Sequence, residues 1–136
     1  MSQIGKLTGV GTSESVTHYQ YDELGRMRGS TQATNGTLYA FAYQYNQAGG
    51  LEVERYPTGR ELKTCYDTAG RITSVGGKRT GVETKYATVE SYWPHGVPKK
   101  VILGDNTLPS PLTEETMFNT RLQLSQMKVS KGGVLY

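Results

Sequence analysis

The strings YDELGRMRGS (Tyr21–Ser30) and YDTAGRITSV (Tyr66–Val75) write one phrase twice: a tyrosine, an acid, two spacers, a glycine, an arginine and a strand former. Each part has a physical role in a chain reversal. The carboxylate of Asp22 or Asp67 can accept a hydrogen bond from the backbone N–H two residues on, closing an Asx-turn. Gly25 or Gly70 tolerates the positive φ of a type I turn followed by a bulge. The tyrosine before the turn and Met27 or Ile72 after it can pack across the hairpin. Arg26 or Arg71 supplies a long donor for carbonyls or for the turn acid.

A third copy is YNQAGGL (Tyr45–Leu51), and the three tyrosines fall at 21, 45 and 66, so the period is that of a repeat. Gly5-Lys6-Leu7 matches the second half of the phrase, and Phe118-Asn119-Thr120-Arg121-Leu122 is a degenerate copy. Between these lie other turn signals: Asn35-Gly36, Pro57-Thr58-Gly59, Gly76-Gly77, Pro94-His95-Gly96 and Gly104-Asp105-Asn106. Reversals spaced about 8–12 residues apart predict an all-β chain, because helices need longer unbroken runs with a 3.6-residue period. We therefore expect one domain over 1–136, made of consecutive antiparallel hairpins in a twisted, curved ribbon. The repeats fall roughly at 4–25, 26–49, 50–70 and 71–96, with a degenerate one at 97–136 and an irregular segment near 104–118. In that segment Leu108-Pro109-Ser110-Pro111 reads as a connection, and Thr113-Glu114-Glu115-Thr116 either caps a short helix or leads into a strand. Arg121 to Val129 changes face midway, which predicts a bulge.

Composition agrees with strands and turns. Seventeen glycines and ten tyrosines stand among 136 residues, and the net charge is only +3, too low for charge-driven disorder. The 15 basic residues are dispersed, so the dense basic face that nucleic-acid binding requires is missing. No stretch has the roughly 18 apolar residues of a membrane-crossing helix, and residues 1–15 lack the order of a signal peptide. Cys65 has no internal disulfide partner and reads as a small buried hydrophobe rather than a reactive thiol. The expectation is therefore a chain without nucleic acid as partner and without membrane insertion.

No catalytic, cofactor-binding or metal site is expected. His18 and His95 stand 77 positions apart with no ligand cluster at metal spacing. His18 reads as a strand residue, and His95 as a turn residue that a corner can present to a ligand. Asp22-Glu23 and Glu114-Glu115 are carboxylate pairs in sequence only, whereas glycoside hydrolysis needs two carboxyls about 5–10 Å apart across a cleft. None of the serines has a nucleophile elbow around it, and Gly9-Val10-Gly11 lacks the context of a phosphate loop. The alternating Tyr39/Phe41/Tyr43/Tyr45 stripe has two readings: a packed face, or an open one that binds glycans by ring stacking. Open sheet edges would invite self-association, with Lys63, Lys78, Arg79, Lys99 and Lys100 as charged guards.

These motifs resemble the RHS, or YD-repeat, proteins. The likeness rests on YDELGRM, YNQAGGL and YDTAGRI, on YPTGRELKTCYD, on YWPHGVPKKVILGDN and on FNTRLQ, and it covers about residues 4–127. It implies a β-ribbon that, in full-length members, spirals into a hollow shell enclosing a toxin domain or forms the barrel of a cell-surface adhesion protein. The implied partner is an effector or cargo domain in a larger, secreted or cell-surface protein. The aspartate-dependent self-cleavage motif and the variable effector of large members are not seen, and Lys131–Tyr136 reads as a repeat cut short. The expected function is structural and non-enzymatic, with carbohydrate or cell-surface binding through exposed tyrosines as the alternative.

Overall fold

The computed structural model describes residues 5–105 and 109–136. Ile4, where the first repeat is set, and Asn106 and Leu108 of the irregular connection lie outside them. Every regular element among the described residues is a strand: β1 (Gly9–Gly11), β2 (Ser15–Tyr21), β3 (Met27–Thr34), β4 (Thr37–Tyr45), β5 (Leu51–Arg55) and β6 (Glu61–Tyr66), then β7 (Ile72–Arg79), β8 (Val82–Tyr92), β9 (Pro98–Leu103), β10 (Leu112–Phe118), β11 (Leu124–Lys131) and β12 (Val134–Leu135). The order of strands in the sheet is their order in the chain. By compactness the chain divides into two units, Met1–Leu62 and Lys63–Tyr136.

Two kinds of reversal make nine of the eleven connections between the described strands, all but those from β1 to β2 and from β9 to β10. The first is a five-residue corner, in which the first residue donates its N–H to the carbonyl of the fifth and the fourth donates back to the first. It occurs at Asp22–Arg26, Asn46–Gly50, Tyr56–Arg60, Asp67–Arg71, Trp93–Val97 and Asn119–Gln123, with both bonds 2.8–3.0 Å long. The fourth residue always has positive φ, from 76° at Gly25 to 89° at Gly49, and in the last corner it is Leu122 at 60°. The second kind is a two-residue turn with both φ values positive, at Asn35-Gly36 (48°, 76°), Thr80-Gly81 (50°, 85°) and Gly132-Gly133 (58°, 85°). That is the type I′ geometry, whose twist matches that of the flanking strands.

The two sets of turn signals in the sequence therefore divide differently from expectation. Pro57-Thr58-Gly59 and Pro94-His95-Gly96 belong to the same corner as the YD phrase, with Tyr56 and Trp93 standing in the acid's place. Gly76-Gly77 is not a turn; both residues lie inside β7 and the reversal comes at Thr80-Gly81. These two glycines make room instead. A bulge places Tyr86 opposite them, between Ala87, which pairs with Val75, and Lys85, which pairs with Gly76. A Cβ on Gly77 would meet the Tyr86 ring 2.8 Å from Cε2 and Cζ.

A bulge also follows each paired corner at a fixed place. Tyr21 pairs with Met27 but Gln20 with Gly29, leaving Arg28 extra; the same offset leaves Glu52, Lys99 and Ser125 extra. The bulge expected between Arg121 and Val129 thus falls at Ser125. Thr113–Thr116 follows its strand reading, since Leu112–Phe118 is β10, paired with β9 from Leu112↔Leu103 to Glu115↔Lys100. The irregular stretch is narrower than 104–118 and ends before Leu112.

Among the described residues of each unit a strand touches only its sheet neighbours, so no second layer formed by them covers either face. The consequence is a very thin core: among the described residues Val53 and Ile102 are the buried hydrophobics. The accessible surface is 9591 Å², whereas a globular monomer of 15.0 kDa would expose about 7,000 Å². Cohesion in this chain comes from ladder hydrogen bonds, cross-strand side-chain pairs and the corners.

Candidate functional site: the corner clasp

The corner acids are bonded as the sequence suggests. Asp22 Oδ1 accepts the N–H groups of Leu24 at 3.0 Å and Arg26 at 2.8 Å, while Oδ2 accepts Arg26 Nε at 2.7 Å. Asp67 repeats this with Ala69 at 2.9 Å, Arg71 N at 2.9 Å and Arg71 Nε at 2.8 Å. These bonds favour the charged carboxylate. For Asp22, partial burial pushes the pKa up, but the Arg26 N–H, the Arg26 guanidinium and the Leu24 N–H outweigh it and leave it below its usual value. For Asp67 the Arg71 N–H and guanidinium dominate, and the pKa is again lowered. Where asparagine replaces the acid, its Oδ1 still accepts the backbone: Asn46 from Gly50 at 2.8 Å, Asn119 from Arg121 at 2.9 Å and Gln123 at 3.0 Å.

A second set of contacts joins one corner to the next. The hydroxyl of Tyr21 donates to the Leu7 carbonyl at 2.8 Å, that of Tyr45 to Met27 at 2.8 Å, and that of Tyr92 to Ile72. In each case the acceptor stands two residues after a positive-φ glycine, Gly5, Gly25 or Gly70. The residue between glycine and acceptor is a cation lying over the same tyrosine ring: Lys6 at 5.6 Å from Tyr21, Arg26 at 4.6 Å from Tyr45, Arg71 at 4.8 Å from Tyr92. Arginine is thereby shared between its own corner's acid and the following tyrosine. Burial raises the Tyr92 pKa, with the Asp67 charge adding to it, which keeps that phenol a donor.

Sequence reasoning placed the acid, glycine and arginine but missed the tyrosine's partner, which lies one repeat back. The signal was present: Lys6-Leu7, Arg26-Met27 and Arg71-Ile72 precede Tyr21, Tyr45 and Tyr92 by 14 to 20 residues.

Toward the C-terminus the clasp changes its chemistry. Thr116 Oγ1 donates to the Pro98 carbonyl at 2.6 Å, and Pro98 stands two residues after Gly96. Trp93 Nε1 donates to the Thr116 carbonyl at 3.1 Å, and Lys99 lies over the Trp93 ring at 4.8 Å. His95 is exposed on this corner and joins an aromatic group with Phe118 at 4.7 Å and Trp93 at 6.4 Å. His18 is exposed on β2, and Cys65 is half-buried.

The remaining candidates are dispersed. Glu90 pairs with Lys100 at 2.8 Å, and Lys100 lies opposite Glu115, which lies opposite Lys128: a charged ladder across four strands. The Glu90 hydrogen bond and charge raise the Lys100 pKa. On unit 1, Tyr39 is 44% exposed while Phe41, Tyr43 and Tyr45 are half-buried, and Phe41 meets Tyr56 edge-on at 5.8 Å. Among the described residues no group of three His, Cys, Asp or Glu side chains could hold a metal ion, and no helix is long and apolar enough to cross a membrane.

No protein-family model and no curated protein matches the sequence. Solved structures do match the fold. A crystal structure of TcdB2-TccC3-Cdc42 superposes with a TM-score of 0.80 at 13% identity, over 92% of this chain and 7% of that chain. A crystal structure of TcdB2-TccC3 gives 0.75 at 14% identity, over 84% and 6%. The structure of a Photorhabdus luminescens Tc holotoxin pore with a mutated TccC3 gives 0.74 at 15% identity, over 87% and 6%. This chain thus spans only 6–7% of the length of the chains it matches. The shared fold is that of the RHS, or YD-repeat, ribbon that the motifs resemble.

Proposed function

We propose that this chain is a non-enzymatic structural module, a segment of RHS-type wall that encloses a toxin or other cargo domain within a larger, secreted protein. The observation that carries this reading is that within each unit the described strands have no layer packed on them: a wall needs two free faces, and a catalytic pocket does not. The clasp supports it, because the contacts of Tyr21, Tyr45, Tyr92 and Thr116 with a neighbouring corner would stiffen a ribbon that has little core. The test is protease challenge of the full reading frame that contains this segment. The cargo segment stays protected in the intact protein and becomes digestible when Tyr45 and Tyr92 are both replaced by Phe. A cargo segment digested at equal rate in both proteins contradicts enclosure.

The exposed Tyr39, on one face with Phe41, Tyr43 and Tyr45, favours a second reading, in which this face stacks on sugar rings. A glycan array decides it: the reading requires binding that Tyr43→Ala abolishes while the strand spectrum is retained, and an array without hits removes it.

A further inference from the structure

Of the three two-residue turns among the described residues, one lacks the residues its geometry favours. Asn35-Gly36 and Gly132-Gly133 suit positive φ, but the third turn holds Thr80, a β-branched residue, at φ 50°. The hairpin behind that turn is weak as well. Gly76 and Gly77 bring no side chains to the β7 side of the ladder, and the bulge at Tyr86 breaks the register where the tip joins the sheet. On β8 the ladder to β9 ends at Ala87↔Leu103, with one further bond from Gly104 N to the Tyr86 carbonyl at 2.7 Å. Among the described residues Val82–Lys85 are therefore laddered to β7 alone, and Lys78 through Lys85 are all exposed. Each strand's ladder neighbours are its chain neighbours, so lengthening the ribbon adds strands beside its ends and leaves this tip in place.

The tip carries Lys78-Arg79, one of two adjacent basic pairs in the chain. The other, Lys99-Lys100, has the same chemistry in the opposite setting. Strands lie on both sides of it, since Lys100 pairs with Ser91 and with Glu115. Its side chains are also held: Lys100 by Glu90 at 2.8 Å, and Lys99 over the Trp93 ring at 4.8 Å.

We propose that the Arg79–Thr80 bond is a processing site for an endoprotease with acidic pockets for paired basic side chains, and that the nicked chain stays assembled. The proposal goes beyond the wall reading and rests on the fold alone. Exposed tips are where nicking concentrates. The Arg79 carbonyl accepts the Thr80 hydroxyl at 2.7 Å, so the scissile bond is reached when the turn opens. Cleavage then follows the population of open tips, which the strain at Thr80 raises. Water supplies the atoms: its oxygen joins the Arg79 carbonyl carbon, the C–N bond to Thr80 breaks, and a proton goes to the new Thr80 amine. The clasp bridges the cut, because the Tyr92 hydroxyl on one fragment donates to the Ile72 carbonyl on the other and Arg71 lies over the Tyr92 ring.

The experiment incubates the native full chain with an endoprotease specific for paired basic residues and follows intact mass over time. One cut is expected, giving residues 1–79 and 80–136, which elute together from a sizing column; Arg79→Gln abolishes it. Thr80→Asn, which writes the favoured Asn-Gly turn, slows the cut about three- to tenfold relative to the same substitution in an unstructured peptide of residues 74–85. No cut in the native chain, an equally fast cut after Lys100, or no slowing by Thr80→Asn on that scale each overturns the site. Fragments that elute apart overturn the bridging of the cut by the clasp. A wild-type far-UV spectrum without strand character overturns the fold and takes the proposal with it.

Discussion

The corners Asp67–Arg71 and Asn119–Gln123 share one backbone and almost no side-chain chemistry. Both close with the same two hydrogen bonds, 2.8 and 3.0 Å in the first, 3.0 and 3.0 Å in the second. In the first, an aspartate binds two N–H groups and a guanidinium, a glycine takes the positive φ, and the arginine reaches over Tyr92. In the second, an asparagine binds two N–H groups and the Gln123 amide, a leucine takes the positive φ, and Phe118 stands in the tyrosine's place without a hydroxyl. The difference separates two requirements. Reversal needs the two backbone bonds and a tolerated left-handed residue at the fourth position; Tyr56 and Trp93 show that it does not need a side-chain acceptor at the first. Linkage to the neighbouring corner needs a hydroxyl, and Thr116 shows that a strand residue two places before the phenylalanine can supply it.

The largest expected effect tests the fourth position. A left-handed conformation costs a side-chain-bearing residue about 1–2 kcal/mol, so Gly70→Leu should lower the unfolding free energy by that amount in urea. Leu122→Gly should raise it by about 1 kcal/mol; equal stability of both variants and the parent would show that the corner does not hold this residue to positive φ.

Next comes the hydroxyl. Tyr45→Phe and Thr116→Val each remove one donor and leave a carbonyl unbonded, and each should cost about 1 kcal/mol in the same measurement. A cost for tyrosine alone would mean that Thr116 is not its functional equivalent.

The acid distinguishes the corners by pH. Asp22 and Asp67 have folded pKa values below the usual 3.8, so they bind fewer protons folded than unfolded. Their contribution is complete above that value and is lost as pH falls through the lowered folded values. Amide exchange at Arg26 and Arg71 should therefore accelerate below about pH 4 relative to Gln123, whose partner Asn119 does not titrate. Parallel acceleration at all three would break the distinction.

The smallest effect belongs to the guanidinium. The Arg71 side chain is 46% exposed beside Asp67, so its ion pair is screened by water and salt. Arg71→Gln should produce a change in midpoint small beside those above and absent in 1 M salt.

Much of the corner was legible in sequence because an Asx-turn, a glycine at positive φ and a following arginine are local chemistry within five residues. The all-β class followed from their spacing, and the strand option for Thr113–Thr116 was open from the start. Gly76-Gly77 misled because glycine serves turns and close packing alike, and only the bulged Tyr86 ring shows which use applies. Trp93 and Tyr56 were hidden as corner residues because the backbone hydrogen bonds that define the corner do not depend on an acidic side chain.

The sequence by itself determined where the chain reverses and that strands lie between, since turn chemistry and period-two alternation act over a few neighbours. Only the tertiary structure decided that Tyr21, Tyr45 and Tyr92 are each bonded one corner back, and that within each unit no second layer covers the described strands. Those are pairings between segments 14 or more residues apart, and register between strands, unlike a turn, is fixed by what lies across the ladder rather than by what lies next along the chain.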